Sequence, residues 1–92
     1  MSDIEYFKKE LLPFFKSFDC KWRKYPEGDL GALEQIIFES PTSGGNIDFW
    51  ENGHLGIYLY DYASDTEICN KLLDPSEEHQ AALKNIILKI IK

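Results

Sequence analysis

Apolar positions recur at helical spacing near both ends of the chain and alternate with polar ones in the middle. Near the start, Ile4, Phe7, Leu11, Phe14 and Phe18 follow at steps of three and four residues, which makes one stripe on a helix. Leu12 and Phe15 widen the stripe, and Ser2-Asp3-Ile4-Glu5 has the S-x-x-E form of a capping box. Pro13 lies inside this run; because the stripe keeps its phase across it, a bend is expected and not a stop. Near the end, Asp74-Pro75-Ser76-Glu77 sets out an N-cap, a proline at N1 and an acid at N3. The helix it starts carries a stripe of Leu83, Ile86, Ile87, Ile90 and Ile91, with Lys89 and Lys92 at the negative end of the helix dipole.

Between these helices the period changes. Residues 19–25 alternate weakly, with Cys20 and Trp22 on one side and Lys21 and Arg23 on the other, and predict a short strand. Tyr25-Pro26-Glu27-Gly28 reads as a turn with proline at its second position. Residues 30–39 admit two readings. Asp29 would cap a helix carrying Leu30, Leu33, Ile36 and Ile37; alternatively, Gln35-Ile36-Ile37-Phe38-Glu39 is a strand running into Ser40-Pro41. The strand is favoured, because a β-branched pair beside Phe38 precedes a breaker and a hairpin. Ser40-Pro41-Thr42-Ser43-Gly44-Gly45 reads as a loop. Its Gly-Gly pair could present amides to an anion, but no lysine follows in a P-loop pattern, so a plain turn is expected.

The clearest local signal is the hairpin over residues 47–60, which turns at Asn52-Gly53. A two-residue type I′ turn pairs Glu51 with His54 and Trp50 with Leu55, and leaves each sheet face half apolar. A three-residue loop, Glu51-Asn52-Gly53, with Gly53 in the left-handed region at a bulge, pairs Trp50 with His54 and Phe49 with Leu55. That register gathers Ile47, Phe49, Leu55, Ile57 and Leu59 on one face, and Asp48, Trp50, His54, Tyr58 and Tyr60 on the other. A one-residue slip exchanges the faces, so burial selects the bulged turn. Ala63-Ser64-Asp65-Thr66 is a second turn, and residues 67–71 a returning strand. The expected fold is a single α+β domain over 1–92: an antiparallel meander of four or five strands packed on an N-terminal and a C-terminal amphipathic helix.

Composition is consistent with this. Hydrophobic residues at 43% and aromatics at 14% of 92 residues belong to a globular chain with one core. No apolar run reaches the roughly 18–20 residues that span a bilayer. The start, Met1-Ser2-Asp3-Ile4-Glu5, lacks the basic and apolar regions of a secretory signal. Cys20 and Cys69 are too few for a disulfide scaffold. Cytoplasmic residence with reduced thiols is expected, with no membrane association.

Charge changes the picture more. The formal charge is −6, and from Tyr25 to Asn70 there is no Lys or Arg, while Glu27, Asp29, Glu34, Glu39, Asp48, Glu51, Asp61, Asp65 and Glu67 fall in that stretch. Such a field repels nucleic acid, attracts cationic partners and speeds their encounter.

Candidate chemistry is sparse. Asp48 and His54 are diagonal neighbours on one face in the bulged register, the makings of a general-base dyad, but no nucleophile or third group is spaced to join them. His79 sits near the apolar stripe of the last helix and is expected to be structural. No C-x-x-C or H-x-x-x-H pairing supports a metal site, and no cofactor motif is present. The aromatic face is the better candidate: Trp and Tyr anchor protein interfaces, and carboxylates accept charge-assisted bonds from Arg or Lys. The candidate partner-binding residues are Asp48, Trp50, Glu51, His54, Tyr58, Tyr60 and Asp61, with Tyr62 as a further neighbour.

Gly44-Gly45-Asn46-Ile47-Asp48-Phe49-Trp50, then Gly53, Gly56-Ile57 and Asp61-Tyr62, with a helix entered at Asp74-Pro75, resembles small immunity proteins of bacterial toxin systems, in particular those of contact-dependent growth inhibition. The resemblance covers roughly residues 40–75. It implies a cytoplasmic protein without enzymatic activity that neutralises a cognate toxin by tight binding. The toxins are commonly nucleases with cationic substrate-binding surfaces. The alternative is a small interaction adaptor or self-associating domain with no toxin partner.

Overall fold

A computed structural model describes residues 2–27 and 30–90 of the chain. Gly28 of the expected turn, Asp29 as an alternative cap, and Ile91 and Lys92 of the last helix lie outside the described residues. Five antiparallel strands form one sheet: β1 (Asp19–Tyr25), β2 (Leu33–Glu39), β3 (Ser43–Trp50), β4 (Leu55–Asp61) and β5 (Thr66–Leu73). They lie in chain order, so the sheet is a meander with β1 and β5 as its edges. A helical segment precedes the sheet and α2 (His79–Ile90) follows it.

Ser2 caps the N-terminal segment, with one half of the expected capping box formed and the Glu5 carboxylate turned to the Ser2 hydroxyl. Ser2 Oγ accepts from the Glu5 amide at 3.2 Å and donates to Glu5 Oε1 at 2.9 Å. Pro13 does not stop the segment, but the phase of the stripe is not kept. After α1 (Asp3–Tyr6) the backbone widens into a π turn over Phe7–Leu11, where the Leu12 amide reaches back to Phe7 O, and then tightens into a 3-10 turn over Leu12–Phe15 that carries Pro13. The wide turn adds one residue to the repeat. The buried position therefore moves from Phe14, which is 54% exposed, to Phe15, which is 2% exposed.

The sheet buries one face against these helices. Ile36 and Phe38 of β2, Ile47 and Phe49 of β3, and Leu55, Ile57 and Leu59 of β4 join Phe7, Leu11, Phe15, Leu83 and Ile86 in one core cluster. Its aromatic centre is Phe7, whose ring lies 5.6 Å from Phe15, 5.8 Å from Phe49 and 6.2 Å from Trp22 between centroids. The hairpin takes the bulged register: Phe49 pairs with Leu55, the Trp50 amide donates to His54 O at 3.1 Å, and the Gly53 amide donates to Trp50 O at 3.0 Å. Gly53 has φ +95°, in the left-handed region. Gly53→Val is expected to lower stability by roughly 1–2 kcal/mol, read from urea midpoints, because a β-branched residue resists that conformation. An unchanged midpoint would contradict this geometry.

Two elements begin where the sequence pattern does not put them. The loop before the hairpin is only residues 40–42, where Ser40 Oγ accepts from the Thr42 and Ser43 amides at 3.3 and 3.1 Å. Gly44 and Gly45 lie inside β3, opposite Glu39 and Phe38 of β2 and opposite Tyr60 and Leu59 of β4. At Gly45 the neighbouring backbone comes so close that a Cβ would overlap the Tyr58 carbonyl oxygen and stand 3.0 Å from its carbon. The glycines mark a close strand approach, which composition alone cannot tell from a turn.

The last helix starts at His79 and not at Pro75. Asp74 and Glu77 do make local bonds: the Asp74 amide donates to Glu77 Oε2 at 2.8 Å and the Ser76 amide to Asp74 Oδ1 at 2.8 Å. They close a separate turn, however. The Asp74 carbonyl, which would begin the helical ladder, accepts from the Glu77 amide at 3.2 Å and is bonded at 2.7 Å to Nε2 of His79. Within α2, Leu83 and Ile86 are buried, Ile87 and Ile90 are half-buried, and Leu88 is exposed.

His79 joins the two ends of the chain. Its ring is 9% exposed, with Nε2 on the Asp74 carbonyl and Nδ1 2.6 Å from Asp3 Oδ2. Burial works against the charged ring, but the bonds to Asp3 and Asp74 outweigh it and raise the pKa above the usual 6.5. A raised folded-state value contributes stability that is fully present below the unfolded pKa and is lost as pH rises through the folded one. Between about pH 6 and about pH 8 the protein is therefore expected to lose stability, and Asp3→Asn to lose less. Urea unfolding of both proteins at the two pH values checks this; equal losses would show that the pair does not carry the effect.

Candidate functional site

Alternation along the strands leaves a second sheet face. Both helical segments pack on the first, and among the described residues no helix or strand covers this one. Its rungs follow from the register. Tyr25, Leu33 and Trp50 form one, and Arg23, Gln35, Asp48, Gly56 and Leu72 the next. Lys21, Ile37, Asn46, Tyr58 and Asn70 follow, then Asp19, Glu39, Gly44, Tyr60 and Glu67.

Asp48 stands at the centre. Its Oδ1 accepts from Gln35 Nε2 at 2.7 Å and from Asn46 Nδ2 at 3.1 Å, and the carboxylate lies over Gly56, where a Cβ would come within 3.2 Å of Asp48 Cβ. Neutral amides hold it, and no Lys or Arg pairs with it among the described residues. Trp50 is half-buried on the same face, and its indole N–H has no hydrogen-bond partner among the described residues.

Three tyrosines continue the face toward the far end of β4. Tyr58 and Tyr60 stack at 6.4 Å between centroids, and Tyr62 follows 5.8 Å from Tyr60. The Tyr62 ring occupies the space that a side chain at Gly44 would fill. Tyr60 donates its hydroxyl to Asp65, and Tyr62 to Glu39 Oε1 at 3.5 Å. The bond to Asp65 is the main cause that pushes the Tyr60 phenol up to about 12, with burial adding to it. Burial first, and then the Glu39 charge, raises Tyr62.

Asp48, Trp50, Tyr58 and Tyr60 therefore come together as the hairpin register predicts. Glu51, His54 and Asp61 do not join them as free partner groups. Glu51 fastens the hairpin to the segment before β2: its amide donates to Ala32 O at 2.7 Å and its Oε2 accepts from the Ala32 amide at 3.1 Å. His54 turns to Asn52, whose Oδ1 accepts from its amide at 3.1 Å and lies 2.9 Å from Nδ1. The Asp48–His54 dyad is thus not formed, because each group has another partner. Asp61 accepts from the Ala63 amide at 3.2 Å and from Ser64 Oγ at 2.7 Å. It pairs with buried Ser43, so alternation turns it away from the open face.

Sequence reasoning missed Glu39, Gln35 and Asn46 as members of this face, and placed Asp65 only in a turn. The pairing of β2 with β3 would have revealed the first three, but it needs the strand register that Gly44 and Gly45 obscured.

At the hairpin end a groove of about 940 Å³ runs between the sheet and the turn before α2, bordered by Tyr25, Leu33, Trp50, Glu51, Pro75 and Glu78. Among the described residues no group of three or more His, Cys, Asp or Glu could hold a metal ion, and no helix is long and apolar enough to cross a membrane. Comparison of the chain with protein-family models, with curated proteins and with solved structures finds no match.

Proposed function

We propose that this protein is a non-enzymatic immunity protein of the cytoplasm that binds a cognate bacterial toxin domain through the uncovered sheet face. The observation that carries the reading is the face itself: aromatic, acidic and, among the described residues, covered by no helix or strand, because both helical segments pack on the other side. Trp50, Tyr58 and Tyr60 serve as anchors, and Asp48 as a fixed charge among them. The absence of Lys and Arg from Tyr25 to Asn70 suits a cationic partner such as a nuclease domain. The segment that resembles immunity proteins supplies β3, β4, β5 and the start of the turn before α2.

The reading expects a toxin gene directly upstream, and co-expression with the toxin domain it encodes is the test. The protein should protect cells and co-purify with that domain. Trp50→Ala and Tyr58→Ala should each weaken binding by about 30-fold or more, as removal of an interface anchor does, while circular dichroism stays unchanged. A protein that neither protects nor co-purifies sinks the proposal. A self-associating domain would instead run as a dimer in gel filtration and be dispersed by the same substitutions.

A further inference from the structure

We infer that the tyrosine ladder at the Gly44 end of the open face is an arginine-receiving subsite, in which Tyr58, Tyr60 and Tyr62, with Glu39 and Asp65, take a guanidinium from a protein partner. This rests on the reading that the open face binds protein, and it names the chemistry of what is bound. The ladder borders a shallow cleft of about 310 Å³ with Ile37, Glu39 and Asn46 along its sides. Its rings stand 6.4 and 5.8 Å apart in sequence along the sheet, and Tyr62 is 44% exposed.

Glu39 lines this cleft with the rings, and Asp65 stands outside it at the Tyr60 hydroxyl. Tyrosine faces attract cations, and arginine stacks on them better than lysine because its charge is planar and weakly hydrated. Both carboxylates are oriented by phenols, Asp65 by Tyr60 and Glu39 by Tyr62. Each keeps lone pairs that match the guanidinium fork. Among the described residues no Lys or Arg is ion-paired to Glu39 or Asp65: Lys21, on β1 opposite Ile37 and one strand from Glu39, makes no ion pair, and neither does Arg23. Glu67, opposite Tyr60, adds to the negative field. The same field turns away phosphate-bearing ligands, so the partner is a protein segment that projects arginine and not a nucleic acid.

The test is an NMR titration of the full chain with two capped peptides, (Gly-Arg)4 and (Gly-Lys)4, at equal ionic strength. The arginine peptide should shift the amides around Tyr58, Tyr60, Tyr62, Glu39 and Asp65, and should bind at least about threefold tighter than the lysine peptide. Tyr60→Leu and the double variant Glu39→Gln, Asp65→Asn should each weaken it by about tenfold, with thermal unfolding monitored to confirm the fold. Tyr60→Phe, which keeps the ring but releases Asp65, should weaken binding by only about threefold, less than Tyr60→Leu. Equal affinity for both peptides, or shifts spread over all acidic surfaces, would overturn the subsite. The two proposals fail separately. A toxin that does not bind, beside a retained arginine preference, removes the immunity reading alone. A toxin that binds equally well to Tyr60→Leu removes the subsite alone.

Discussion

Gly45→Ala is expected to destabilise the protein by about 3 kcal/mol or more, at the upper end of what overpacking does. Gly45 sits between the central strands, facing Phe38 on one side and Leu59 on the other. A methyl group there would overlap the Tyr58 carbonyl and lie 3.1 Å from Leu59 Cα, and both are backbone atoms that cannot swing away as a side chain can. Relief requires β3 and β4 to separate, which breaks ladder bonds in the middle of the sheet. Chemical denaturation of the variant gives the value directly. Gly56→Ala is the useful contrast, because its methyl would meet the Asp48 side chain at 3.2 Å and not backbone. If Gly45→Ala were as mild as that change, the close approach of the two strands would be in error.

Phe7→Ala is expected to cost about 4 kcal/mol, in the range for removing a buried aromatic ring. Phe7 is fully buried and joins the π turn to the 3-10 turn through Phe15 and to the sheet through Trp22 and Phe49. The lost ring leaves a cavity among residues drawn from three separate elements, so no single one can move to fill it. For a domain of this size, that loss lowers the melting temperature by roughly 15–30 °C, as calorimetry would record. Phe14→Ala, seven residues further on and exposed, should change it little. The pair separates the observed phase of the helical segment from the uninterrupted stripe, in which Phe14 would be the buried residue.

That contrast shows what was legible in the sequence and what was not. The hairpin register was legible because only one of its two options puts Ile47, Phe49, Leu55, Ile57 and Leu59 together, and burial of apolar surface decides between them. β1 was legible from its weak alternation, β2 from a β-branched pair before a breaker and β5 as the return after a turn, although β2 and β5 run longer than expected. The phase of the first helical segment was not legible: an inserted residue in a π turn leaves no mark on apolar spacing until the tertiary structure selects Phe15 over Phe14. The start of α2 escaped for a similar reason, since His79 competes for the Asp74 carbonyl from within the folded structure. Half of the candidate site, Trp50, Tyr58, Tyr60 and Asp48, followed from alternation alone. That no helix or strand covers it among the described residues depends on where both helical segments pack, which no local pattern records.

The meander has a kinetic consequence. Every strand pairs with its successor in the chain, so each new ladder closes a loop of only a few residues. Such local pairing lowers contact order and favours fast folding, even in a protein whose regular structure is largely β. The bond between Asp3 and His79 is the opposite case, spanning 76 positions. Sheet growth can start at the Glu51–Gly53 turn and spread outward by successive hairpins, while the joining of the two chain ends is left as a late, slow closure on an assembled sheet.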